Sequence, residues 1–234
     1  MELTKKNDFV ELRYTGYSQG QVFDSNVEDD LKKLNPEAKA EKLVVVIGQG
    51  MVVPGLDKAL EGKEIEKEYE IKIAAKEGFG ERDRNLLKTI PLRAFTEKNI
   101  NPKPGQVLAF DNMIAKVVAV SGARVITDFN NPLAGKEISY KFKIIRKVDN
   151  EEEKCKAVFS LLFRFAPEFE VKDNKVIVKG PKVLEDYIKA SSDKFKELIG
   201  KELSFELKEE KKETEAKDEH SHEGDEHSHE GHKH

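Results

Sequence analysis

Ile47-Gly48-Gln49-Gly50-Met51-Val52-Val53-Pro54-Gly55-Leu56-Asp57-Lys58-Ala59-Leu60-Glu61-Gly62 reads as a run of β-branched residues that breaks into a short helix. Pro54 suits the first helical turn, where its missing N–H costs nothing, and Gly62 suits the exit. Leu56, Ala59 and Leu60 fall on one face. Upstream, Val10, Leu12 and Tyr14 alternate with Glu11 and Arg13, the pattern of a half-buried strand. Tyr14-Thr15-Gly16 is followed by a Gly-bounded turn and a second short strand, Gly20-Gln21-Val22-Phe23-Asp24-Ser25. Downstream, Tyr69, Ile71 and Ile73 alternate with Glu68, Glu70 and Lys72. A closing strand over 137–147 puts Ile138, Tyr140, Phe142 and Ile144 on one side.

The ordered set of Phe23-Asp24-Ser25, the Val52-Val53-Pro54-Gly55-Leu56 stretch and Asn131-Pro132-Leu133-Ala134-Gly135-Lys136 resembles the FKBP family of peptidyl-prolyl isomerases over about residues 7–148. The resemblance implies an α+β fold, an antiparallel sheet wrapped on a short helix, and catalysis without a cofactor. Its pocket carries over to Tyr14, Phe23, Asp24, Val52, Val53, Leu56, Phe79 and Tyr140. Three positions depart from the short members: Leu56 stands for their Trp, Phe79 for a Tyr and Tyr140 for a Phe. Asp24 is placed to accept a hydrogen bond from Tyr14 or to bias a substrate carbonyl.

The isomerase domain is expected to be discontinuous, 1–82 and 131–148, with residues 83–130 inserted. Within the insert, Pro91-Leu92-Arg93-Ala94-Phe95 starts a helical turn. Strand-like runs then cover 107–110, 113–120 and 124–128, punctuated by Asp111-Asn112 and Ser121-Gly122 as hairpin turns. This small β-rich domain resembles the insert-in-flap domain of SlyD-type proteins and long archaeal FKBPs, which implies a holdase role toward unfolded chains. A domain of about 45 residues has too little interior to hide all of Leu86, Leu87, Ile90, Leu92, Phe95, Ile100, Leu108, Phe110, Met113 and Ile114. These are the candidate client-binding residues, because exposed apolar patches mark binding surfaces.

Residues 151–207 change rhythm. Helical spacing is expected from Cys155 to Phe165, a hairpin from Phe169 to Val178 turning at Asp173-Asn174, and a second helix from Val183 to Ile199. That helix carries Leu184, Tyr187, Ile188, Phe195, Leu198 and Ile199 on its apolar face and ends at Gly200. A final strand covers 202–207. Such an α+β module resembles the C-terminal extension of long archaeal FKBPs, which implies homodimerisation. Residues 31, 34 and 38, all apolar, suggest a longer, more helical loop over 26–42 than the short members have.

The 234 residues carry a net charge of −4, unevenly spread. From Lys208 onward there are 5 Lys and 10 Asp+Glu, so the rest is close to neutral with both signs interspersed. No electrostatic case for nucleic-acid binding exists. No apolar run is long enough to span a membrane, and Met1-Glu2-Leu3-Thr4-Lys5-Lys6 lacks the apolar stretch of a secretory signal. Cys155 is the single cysteine, which fits a reducing compartment; a cytoplasmic protein is expected. Residues 208–234 form a low-complexity tail in which disorder is expected. It holds all six histidines, His220, His222, His227, His229, His232 and His234, a flexible ligand set for Ni²⁺ or Zn²⁺.

The expected activity is therefore X-Pro isomerisation in unfolded or partly folded clients, joined to a holdase. Metal handling by the tail and a non-catalytic binding module on the same scaffold are the rivals. No histidine lies outside the tail, and no Gly-x-Ser-x-Gly, Walker loop or Cys–His pair offers nucleophilic or phosphate chemistry.

Overall fold

The protein is described by a computed structural model covering residues 2–110 and 113–208. The expected Asp111-Asn112 turn and the histidine tail lie outside the described residues.

Strand β1 (Phe9–Ser18) is the spine of the first sheet. One edge pairs along its whole length with β9 (Ile138–Lys147), which in turn pairs with β4 (Glu68–Ile73). The other edge is shared end to end by β2 (Gln21–Ser25) and β3 (Leu43–Val46). Between those two strands Asn26 stands in for a paired backbone. Its Oδ1 accepts from the Tyr14 N–H and its Nδ2 donates to the Leu12 carbonyl, both at 2.8 Å. No polar group of the spine is stranded at the junction, as buried backbone requires.

Helix α2 (Pro54–Leu60) lies on the concave face, with Pro54 at its start. Leu56 and Leu60 pack against Val10, Leu12, Val45, Ile47, Ile73, Ile138, Tyr140, Phe142 and Ile144 in one core. Close approach needs Gly55: a Cβ there would lie 2.5 Å from Ile73 Cγ2. Burying side chains of this size contributes about 1.5–3 kcal/mol each, so this seam fixes the helix against the sheet. The expected alternation along β1 fails at two residues. Glu11 is buried because Arg146 reaches it at 2.8 Å, and Phe9 packs into a different core. Helix α1 (Glu28–Leu34) follows β2 and has no buried residue. It does not extend to Ala38, since Asn35 precedes Pro36 and is held extended at φ −147°.

The chain between β4 and β9 forms a second sheet in the order β5 (Leu87–Pro91), β8 (Arg124–Asp128), β7 (Met113–Ser121), β6 (Val107–Phe110). Helix α3 (Leu92–Thr96) covers one face, and Phe95, Val117 and Val125 form the centre of its small core. The sequence reading anticipated β6, β7, β8 and the helical turn but passed over β5.

The third sheet holds β10 (Glu168–Lys172), β11 (Lys175–Gly180) and β12 (Glu202–Leu207), with β11 and β12 parallel. That parallel step is bridged by α5 (Leu184–Ile199), as such connections demand. Helix α4 (Glu151–Phe163) is capped by Asn150, whose Oδ1 accepts from the Glu153 N–H at 2.9 Å. It stops at Phe163 because Arg164 turns left-handed, leaving Phe165 outside the helix and exposed. Tyr187, expected on the apolar face of α5, is exposed instead; it sits one step off the stripe formed by Leu184, Ile188 and Phe195. Cys155 is fully buried, and burial pushes its thiol up to about 11, so the side chain serves as packing.

Candidate functional site

The concave mouth of the first sheet gathers residues from five segments. Tyr14 comes from β1, Phe23 and Asp24 from β2, and Val52 and Val53 from the passage into α2. Phe79 comes from the loop behind the short 3-10 turn Ala75–Glu77, and Tyr140 from β9. Leu56, 1 % exposed, closes the floor beneath them. The rings form a connected wall. Phe23 meets Phe79 edge-on at 5.6 Å and Tyr140 edge-on at 5.7 Å, while Tyr14 and Tyr140 lie 5.8 Å apart. Such tilted pairs suit the ring quadrupoles. Val52 and Val53 pack against the same core.

One polar contact is set into this apolar wall. The Tyr14 hydroxyl donates to Asp24 Oδ2 at 2.8 Å. Burial raises the Tyr14 phenol well above its ordinary range, and the bond to Asp24 and its negative charge raise it further. Tyr140 is raised first by burial and then by the Asp24 charge. Both hydroxyls therefore stay protonated at neutral pH and can act only as neutral hydrogen-bonding groups. Asp24 already accepts from Tyr14, so its carboxylate is oriented along the pocket edge.

Seven of the eight residues expected at the pocket thus pack in or against one core, and Asp24 joins them through its bond to Tyr14. Two more that shape the pocket carry no assignment from the sequence. Gly16 lies under the rings: a Cβ there would sit 2.7 Å from Phe23 Cζ and 2.9 Å from Tyr140 Cε1. A glycine inside an alternating strand is the signal, since it marks a close approach by a neighbour. Asp57, buried in α2, accepts from the Gly48 and Gly50 N–H groups at 2.8 Å each and so holds the turn that carries Val52 and Val53. Gly48 and Gly50 both have positive φ, the clue that this turn is tightly wound.

The FKBP-type peptidyl-prolyl cis-trans isomerase family model matches residues 2–111. A short-type peptidyl-prolyl cis-trans isomerase of Methanocaldococcus jannaschii is 31% identical over 147 residues, covering 62% of this chain and 94% of that protein. The chain is an FKBP-type peptidyl-prolyl cis-trans isomerase. Among bacterial relatives, the SlyD isomerase of Helicobacter pylori is 28% identical over 158 residues, spanning 65% of this FKBP and 79% of the relative. That of Haemophilus influenzae is 26% identical over 155 residues, spanning 60% and 70%.

The ten residues expected to bind clients divide sharply in this FKBP. Phe95, 1 % exposed, is the core of the inserted sheet, and Ile90, Leu92, Ile100, Leu108 and Phe110 pack against it. Phe95 is thus buried, and the other five are half-buried with part of their surface committed to this core. Leu86, Leu87, Met113 and Ile114 are exposed. Strand register adds two residues that the sequence reading missed. Ala109 pairs with Ile114 and Val107 with Lys116, while Leu87 pairs with Asp128, two residues from Ile126. Leu87, Val107, Ile114 and Ile126 therefore share the outer face, with Val107 61 % and Ile114 66 % exposed. Among the described residues no cluster of three or more His, Cys, Asp or Glu is arranged to hold a metal ion, and no helix is long and apolar enough to cross a membrane.

Proposed function

We propose that the ring-lined mouth around Tyr14 and Asp24 is where X-Pro bonds turn. Resonance gives the amide a rotational barrier of about 18–20 kcal/mol, while the cis and trans forms at proline differ by only about 0.5–1 kcal/mol. The catalyst must therefore favour the twisted amide over both planar isomers. An apolar wall of Phe23, Phe79, Tyr140 and Leu56 solvates the charge-separated planar amide poorly and seats the proline ring. The oriented Tyr14–Asp24 pair supplies a fixed dipole at the rim. No proton is transferred and no covalent bond forms, so the chemistry needs no cofactor.

The observation that carries this reading is the 2.8 Å Tyr14–Asp24 bond set among touching aromatic rings. Asp24→Ala and Tyr14→Phe each break that bond while leaving the rings. Each is expected to lower kcat/KM on a short X-Pro peptide roughly three- to tenfold, the worth of one net hydrogen bond. Unchanged exchange in both, with circular dichroism of the native form, rejects the pocket.

A second activity is favoured by the outer face of the inserted sheet. We infer that residues 83–130 form a holdase domain. The apolar side chains of Leu87, Val107, Ile114 and Ile126, exposed on one sheet surface, are its client-binding patch. The neck of the insert enters directly behind Phe79, so a client held there has its X-Pro bonds at high effective concentration near the pocket. On the module of residues 151–207, exposed Phe165, Val183, Tyr187 and Leu207 supply apolar surface for self-association. The histidines of the tail are assigned to moderate-affinity binding of Ni²⁺ or Zn²⁺, on the chemistry of their imidazoles.

A further inference from the structure

Strand β3 is four residues long, and its two faces serve different cores. Val45, with Ile47 just beyond the strand, packs with α2 in the isomerase core. Val44 and Val46 pack with Val158 and Phe159 of α4 in the C-terminal core. The strand is a common wall between the pocket's scaffold and the module behind it. The segment leaving this wall, residues 47–53, presents Val52 and Val53 to the mouth.

Asp57 anchors the start of that segment through Gly48 and Gly50. Met51 anchors its end, and it does so from both sides of the wall. Its side chain packs against the isomerase core and against the C-terminal core. Its Sδ also accepts from the Val46 N–H at 3.2 Å. A thioether is a weak acceptor, so this bond places the side chain more than it strengthens the fold. Methionine fits the position because its unbranched, polarizable chain fills an irregular gap between two packed surfaces.

We propose that Met51 is a positioning residue that fixes the Val52–Val53 rim of the pocket against α4, which makes the C-terminal module a working part of the catalytic structure. The inference rests on the pocket reading above. Its physical basis is that a catalyst acting by shape loses rate when its rim moves, an ångström of misplacement costing up to about a hundredfold. A change made inside α4, far from any substrate, should then reach the pocket through this side chain as well as along β3, and more weakly once the side chain is removed.

The test uses the full chain and nuclear magnetic resonance exchange of a short X-Pro peptide. Met51→Ala is expected to lower kcat/KM roughly tenfold, chiefly by raising KM as the rim loosens. Met51→Leu, which restores the volume, should return it to within about twofold. Val158→Ala in α4 should shift the Val52 and Val53 amide signals when Met51 is present and shift them at least severalfold less when it is Ala. That coupling is read in a double-mutant cycle of Val158→Ala with Met51→Ala, and with the milder truncation Met51→Val where Met51→Ala does not fold. Asp24→Ala is run alongside. If Asp24→Ala slows exchange while Met51→Ala does not, or while the rim amides ignore Val158→Ala, this inference fails and the pocket stands. If Asp24→Ala and Tyr14→Phe change nothing, the pocket reading fails and takes this one with it.

Discussion

Tyr14 and Tyr140 are two phenols raised by the same surroundings, burial first and the charge of Asp24 after it. A phenol whose folded pKa lies above its ordinary value of 10.0 holds its proton more tightly folded than unfolded. The stability this contributes is complete below pH 10 and is lost as the pH climbs from there through the higher folded value. Unfolding midpoints in denaturant should accordingly be flat across neutral pH and fall above about pH 10. Tyr14→Phe and Tyr140→Phe should each remove one late component from the phenolate absorbance titration. All five tyrosines ionising together at the ordinary value in the native protein would contradict the buried pair. At Gly16 the same rings impose a steric limit. Gly16→Ala drives a methyl to within 3 Å of Phe23 and Tyr140, and overpacking of this kind costs about 1–3 kcal/mol. It should also slow isomerisation while Thr15 variants, facing the other side, do not. Tyr14, Phe23, Asp24 and Tyr140 could be placed from the sequence because alternating strands carry them, and Leu56 because Pro54 marks the start of its helix. Gly16, Asp57 and Met51 could not, because what they do depends on a ring, a turn or a second core that arrives from elsewhere in the chain.

At the scale of elements, pairing decides which apolar residues are buried. Composition points to ten candidates in the insert, yet Phe95 is buried, five more are half-buried against it, and the exposed Val107 and Ile126 lie outside the ten. A register fixes the face of every residue in a strand, and register is invisible until strands are paired. Strand β5 was missed for a related reason. Leu87-Lys88-Thr89-Ile90-Pro91 ends in proline and shows no alternation, and only its pairing with β8 makes it a strand. By contrast α2 and β9 could be read directly, since proline and period agree there, whereas the expected start of α4 at Cys155 falls four residues inside the observed one, which Asn150 caps. The paired face yields a direct test of the holdase reading. Replacing Val107, Ile114 and Ile126 with Ser leaves the core of Phe95, Val117 and Val125 untouched. Turnover of a short X-Pro peptide should be unchanged within about twofold, since exposed substitutions shift stability by only about 0.5 kcal/mol. Suppression of aggregation of a reduced, unfolded protein should drop at least severalfold, and with it the catalysis of proline-limited refolding. Equal losses on peptide and protein would make the face structural.

On the scale of the whole molecule, the isomerase sheet and the C-terminal sheet are bonded by a continuous core running through Phe9, Val46, Val148 and Phe159. Arg146 ties the same seam from outside by bridging Glu11 and Glu153. The inserted sheet has a core of its own. It meets its host at a neck where the Asn130 side chain bonds the Asp83 backbone at both its N–H and its carbonyl, and where Arg82 pairs with Asp128. Every histidine follows residue 219, outside the described residues, and the metal binding proposed for them is expected to be independent of catalysis. Imidazole ligates in its neutral form, so Ni²⁺ retention should weaken as the pH falls below about 6.5. Ordering backbone around an ion costs about 1–2 kcal/mol per residue fixed, so moderate affinity and several stoichiometries are expected. Truncation before His220 should abolish the calorimetric signal with Ni²⁺ while leaving kcat/KM on X-Pro peptides unchanged. Comparable affinity in the truncated chain would move the site into the folded body, onto carboxylates or Cys155. A loss of isomerisation on truncation would instead tie the tail to the pocket and break the independence argued from its position.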